Sequence, residues 1–119
     1  MNTNNLNRFC YPHLPDEFQS RALKTWQSVD ELPGEQLLHA SMGLAGEAGE
    51  TLDHIKKVLW KPGHEPNKDK LIAELGDCLY YLSIMTHLVG LSLEDLAQMN
   101  REKLSGGKHG WDENEDARK

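Results

Sequence analysis

Two long runs of helix-period apolar residues, joined by one short break, leave this chain little choice of architecture. In the first run Leu37, Leu44, Ala48, Leu52, Ile55 and Leu59 recur at helical spacing, and in the second Leu71, Leu75, Cys78, Leu82 and Met85 do. They predict helices over about 35–59 and 68–89, parted by a 61–67 loop around Pro62-Gly63. A shorter helix over about 16–29 precedes them, with Phe18, Ala22, Trp26 and Val29 along one side. The stretch Asp30-Glu31-Leu32-Pro33-Gly34 breaks the chain after it. Gly90 stops the third helix, and Ser92 with Asp95 three residues on reads as a variant capping box. A fourth helix then reaches about Leu104 and ends at Gly106-Gly107. No alternating strand pattern competes. The expected fold is all-α, an antiparallel four-helix bundle.

A chain of 119 residues reads as one domain. The expected division is an N-terminal arm over 1–15, the helical domain over 16–111 and an acidic, disordered tail over 112–119. The central helices carry wide apolar faces, and Trp26, Trp60 and Trp111 add area that so short a chain struggles to cover alone. Oligomerisation, to a homodimer or homotetramer, is therefore expected to complete the bundle. No apolar run approaches the roughly 18 residues of a membrane span. The first seven residues are polar and Asn-rich rather than signal-like, so a cytoplasmic location is expected. Cys10 and Cys78 form no CxxC pair, which argues against a zinc or disulfide framework. The net charge of −6 argues against stable nucleic-acid binding.

Four carboxylates interrupt this ordinary pattern. Glu47 and Glu50 on the second helix, and Glu74 and Asp77 on the third, each stand at i, i+3 and flank the apolar stripe. At ~1.5 Å of rise per residue, Glu50 lies roughly 15 Å before the turn and Asp77 roughly 15 Å after it. An antiparallel hairpin would stack all four at one level. Like charges so placed repel, and a hard divalent cation with oxygen ligands would relieve them. An isolated i, i+3 acid pair is more often a solvated helix face, but two pairs at matched height are much rarer. Gly43, Gly46 and Gly49 lie inside the same helix at a cost of up to ~1 kcal/mol each, for close packing, for room beside the acids, or for both. A di-iron carboxylate bundle would need Glu-x-x-His. No histidine here has an acid three residues before it.

The segment Gly43-Leu44-Ala45-Gly46-Glu47-Ala48-Gly49-Glu50, followed by Glu74-Leu75-Gly76-Asp77, resembles the MazG-like family of all-α nucleotide pyrophosphohydrolases, whose signature is ExxE, a spacer, then ExxD. The likeness runs on through Tyr80-Tyr81-Leu82 and Leu91 to Leu96, and then from Asn100 to Leu104. It implies a Mg²⁺-dependent reaction, with Mn²⁺ able to substitute, that splits an NTP or dNTP between its α- and β-phosphates into monophosphate and pyrophosphate. It also implies Glu47, Glu50, Glu74 and Asp77 as metal ligands, and sites often completed by a neighbouring subunit. The chain departs from many relatives in Ser105-Gly106-Gly107-Lys108-His109-Gly110-Trp111, which holds no arginine. Lys108 stands in as a point-charge phosphate contact.

Glu47 or Glu50 is the candidate base for the attacking water. Asn100 lies on the apolar side of the fourth helix with Leu93, Leu96, Ala97 and Leu104, as a buried structural amide or a substrate contact. Lys103, one turn on, is a solvated charge or a phosphate contact, and with the resemblance both are assigned to substrate. Tyr81 shares the face of Asp77 and either packs in the core or meets the nucleotide. Lys57 lies on the carboxylate side of the second helix and is assigned to substrate against a solvated alternative. His54 reads as supporting or solvent-facing. Trp26, His39 and Trp60 are candidates for base contacts, with Trp26 the most core-like. The alternative function is a non-catalytic helical protein-binding or dimerisation module whose acids form a solvated or partner-binding face.

Overall fold

A computed structural model describes residues 14–106, folded as four α-helices. They are α1 (Leu14–Thr25), α2 (Pro33–Trp60), α3 (Lys68–Leu88) and α4 (Leu93–Gly106). The expected 1–13 part of the arm and the tail beyond 106, with Cys10, Lys108 and Trp111, lie outside the described residues. The α2–α3 hairpin makes the most extensive contact, α1 packs on α3, and α4 rests on α1 and α3. The all-α expectation holds, with four helices packed together. No helix is long and apolar enough to cross a membrane.

Helix ends follow local chemistry. α1 stops at Thr25, four residues earlier than expected, because Trp26 to Glu31 wraps around one side chain of α2. The Trp26 indole N–H donates to Gln36 Oε1 at 2.9 Å, while Gln36 Nε2 donates to the Glu31 carbonyl at 2.8 Å. α2 begins on Pro33, whose fixed φ suits a first helical turn. Asn67 caps α3, accepting from Lys70 N–H at 3.0 Å. Gly90 ends it at φ 87°, a left-handed conformation that favours glycine. The Ser92 box closes as expected: Asp95 N–H donates to Ser92 Oγ at 3.0 Å and Ser92 N–H to Asp95 Oδ2 at 3.3 Å.

The core is small and sits at the α1 end of the hairpin. Ala22, Trp26, Ala40 and Ile84 are buried together, with Phe18, Leu23, Tyr80, Met85 and Leu88 against them. The expected inward stripes of the long helices are largely outside. Leu52 is 67% exposed, Leu59 64% and Leu75 53%. The face that α2 turns toward α3 carries small and acidic residues, Ala40, Gly43 and Glu47, so Leu52 and Leu59 are rotated away from the hairpin, while Leu37 and Leu44 stay half-buried.

One buried polar side chain locks this arrangement. Gln19 donates to the carbonyls of Ser83 (3.2 Å) and Leu91 (3.1 Å), and its Oε1 accepts from Leu93 N–H at 3.1 Å. It joins α1, α3 and the start of α4 in a single amide. Asp16 Oδ1 takes the next free N–H of α4, from Glu94, at 3.1 Å. Gln19→Ala would leave a buried N–H unpaired and should lower unfolding free energy by about 1–3 kcal/mol, measurable by urea titration.

Candidate active site

The register of the hairpin is fixed where a glycine meets a tyrosine. The ring of Tyr81 lies on the backbone of α2 at Gly43, where an added Cβ would fall inside the ring's contact distance. Tyr80 stacks edge-on against Tyr81, with centroids 5.2 Å apart and planes at 81°. One turn along from this contact, Glu47 on α2 comes level with Asp77 on α3. The same register sets Glu50 level with Glu74, as helical rise requires.

All four acids meet in this groove. Burial, then the charges of Glu50 and Asp77, a hydrogen bond with Glu50 and the charge of Glu74 together push Glu47 above its ordinary pKa of 4.5. Glu74 is only 6% exposed, while Glu50 and Asp77 reach solvent. Glu47 Oε2 and Glu74 Oε2 are buried without a hydrogen-bond partner. Unpaired buried carboxylate oxygens are costly, and a hard cation satisfies them where protein donors do not. The donor set therefore fits Mg²⁺ in chemistry. Among the described residues no three such side chains already surround a common point, so seating an ion requires rotation of the carboxylates.

Around the acids the assigned residues divide. Lys57 donates to Asp53 Oδ2 at 2.7 Å, a bond that raises its pKa, helped by the charge of Glu74. That bond in turn holds Asp53 below its ordinary 3.8. The Asp-x-x-x-Lys spacing could have revealed this pair in the sequence. His54 accepts from Asn67 N–H at 3.3 Å through Nε2, so it pins the start of α3. Asn100 is exposed, which overturns its reading as a buried amide: α4 buries Leu93 and half-buries Leu96 and Leu104, while Ala97 and Asn100 between them face outward. Lys103 is exposed too and is not among the charges that shift Glu47.

A second polar cluster lies at the Tyr81 end. His39 Nδ1 pairs with Ser28 Oγ at 2.8 Å and approaches Glu31 at 3.9 Å, and its ring tilts over Trp26 with centroids 4.9 Å apart. Trp26 itself is core. His39, Tyr81 and Gly43 border an open hollow of about 500 Å³ with Glu31, Glu35, Leu38 and Met42. Nothing in the sequence pattern ties Ser28 to His39, since the link depends on how the 26–32 loop folds back.

A helical hairpin that lines up four carboxylates along one groove, Glu74 buried and Glu50 and Asp77 at its mouth, defines an all-α, acid-centred protein. This chain belongs to the MazG nucleotide pyrophosphohydrolase domain family, whose model matches residues 36–110. It is also similar to the Gene 37 protein of Mycobacterium phage L5, at 39% identity over 77 residues, covering 62% of this chain and 68% of that protein. No solved structure matches the chain.

Two measurements check the groove. A raised pKa in the fold means Glu47 favours the native state below pH 4.5 and loses that contribution as pH rises through its shifted value. In EDTA, the melting temperature of wild type relative to Glu47→Gln should therefore fall as pH rises from 4.5 toward neutrality. Gly43→Ala should destabilise by about 1–3 kcal/mol by forcing the Tyr81 ring away. Gly46→Ala, with open space around it, should gain up to about 1 kcal/mol.

Proposed function

We propose that this protein is a Mg²⁺-dependent nucleoside triphosphate pyrophosphohydrolase, cleaving NTP or dNTP between the α- and β-phosphates in the cytoplasmic nucleotide pool. The observation that carries this reading is the pair of buried, unpartnered oxygens on Glu47 and Glu74, level with Glu50 and Asp77. Family membership supports it.

Glu47, Glu50, Glu74 and Asp77 would hold Mg²⁺, or Mn²⁺ in its place. Bound there, the ion supplies positive charge to phosphate oxygens and acidifies a coordinated water. Glu47 has the raised proton affinity that suits a base, and Glu50, whose charge adds to that rise, is the second candidate. Water attacks the α-phosphorus, its proton passes to that carboxylate, and the bond to the bridging oxygen breaks. Pyrophosphate leaves with the electron pair. Lys57, kept on the groove side by Asp53, contacts phosphate, as do Asn100, Lys103 and Lys108. Tyr81 borders the nucleotide beside Gly43. Because Asn100 and Lys103 face solvent in one chain, their approach to the acids is assigned to a homodimer or homotetramer.

A pyrophosphate-release screen over the common NTPs and dNTPs with Mg²⁺ should find at least one substrate. Release from none would favour a non-catalytic helical binding module. Mg²⁺ or Mn²⁺ should raise the melting temperature by mass action on the folded state. Glu50→Gln and Asp77→Asn should lose both that rise and turnover while keeping the apo fold. Near-normal turnover in either would remove the metal assignment.

A further inference from the structure

The hollow of about 500 Å³ beside Tyr81 lies in line with the acid groove. It reaches Gly43, one turn from Glu47, and is bordered farther along by His39, Glu31 and Glu35. His39 precedes Glu47 by eight residues on α2, roughly 12 Å of helix rise. That is the reach of a nucleoside from its α-phosphate to the outer edge of its base. The charges along α2 set which way such a molecule would lie. Lys57 stands on one side of the four acids, with Lys61 beyond it, and Glu31 and Glu35 stand on the other. Phosphates would run toward the lysines and the base toward His39.

The polar groups at the base end are held in place by the fold. Glu31 N–H donates to the Ser28 carbonyl at 3.1 Å, and the Glu31 carbonyl accepts from Gln36 at 2.8 Å. Ser28 Oγ pairs with His39 Nδ1 at 2.8 Å, which sets the imidazole over Trp26. The Glu31 carboxylate approaches that ring at 3.9 Å without closing a hydrogen bond, so its oxygens remain open to a ligand. An acid in the first turn of α2 also favours the helix dipole, which is reason enough for Glu35 by itself. It does not account for Glu31, whose carboxylate is turned to His39.

A carboxylate only accepts hydrogen bonds, and this decides what the hollow can read. Cytosine carries an amino donor at the position where uracil and thymine carry a carbonyl. Adenine has an amino group as well, and guanine has one beside its ring N–H. Glu31 and Glu35 can pair with such donors, whereas they repel a carbonyl turned toward them. The rings of Tyr81 and His39 would flank any base and so add affinity without choice.

We propose that this hollow receives the base of the substrate and that Glu31, with Glu35, selects a base bearing an amino group. Cytosine, adenine and guanine are accepted, and uracil and thymine are disfavoured. The inference rests on the proposed function and narrows it from any nucleoside triphosphate to those three bases.

The pyrimidines test it most sharply, because they differ where the carboxylates read. With the full chain and Mg²⁺, pyrophosphate release should favour CTP over UTP, and dCTP over dTTP, by about tenfold or more in kcat/KM. Glu31→Gln, alone or with Glu35→Gln, places an N–H donor at an exposed position and should bring each pair of rates together through KM. Unchanged helical circular dichroism in both variants checks that the fold persists. Equal rates in the wild type, or a preference for UTP and dTTP, would overturn the proposal. So would a preference for cytosine that both variants retain. Calorimetry with the uncleavable α,β-methylene analogues of CTP and UTP separates this inference from the proposed function. A wild type that releases no pyrophosphate yet binds the cytidine analogue more tightly would remove the enzyme and leave the base pocket standing. A wild type that binds neither analogue would remove the pocket.

Discussion

The hairpin of α2 and α3 is organised around carboxylates that would rather be apart. Packing two long helices usually buries leucine against leucine, but here the closest part of the contact is Gly43 under Tyr81, and beyond it Glu47 and Glu74 are drawn out of water. That burial, with the charges of Glu50, Asp77 and Glu74 added to it, raises the proton affinity of Glu47. Any cation or proton that the groove binds therefore adds to the stability of the fold by mass action. The rest of the fold holds the two helices in the register that brings these acids together.

That service is performed by polar contacts as much as by apolar ones. Gln19 fastens α1 to α3 and to the first turn of α4, and Gln36 gathers Trp26 and the loop that follows it. His54 ties the base of the hairpin to the cap of α3. Each of these amides and the imidazole closes a specific geometry, whereas the small cluster around Ala40 and Ile84 supplies cohesion without register.

The sequence was most legible where one local rule decides the outcome. The Ser92–Asp95 box, the stop at Gly90 and the level placement of two acid pairs depend on spacing within a helix or on equal distances from one turn. The facing of the apolar stripes was not legible, because a helical period says that an apolar face exists and not what covers it. In α2 the period was read as pointing into the hairpin, and Leu52 and Leu59 point out. Asn100 failed for the same reason: its leucine neighbours do not oblige α4 to bury that side. Gln19 and the Ser28–His39 link were invisible because they join residues whose meeting depends on tertiary placement.

An acidic chain that is to bind a polyanion must separate its charges, and the hairpin does so along its own length. The acids of the groove occupy the middle, while Lys56, Lys57 and Lys61 gather at the end of α2, with Lys68 and Lys70 opening α3 just across the turn. In a single chain these lysines lie one or more turns beyond Glu50 and cannot wall the far side of the groove near Tyr81. The hairpin thus carries its anionic middle and its cationic end on the same two helices.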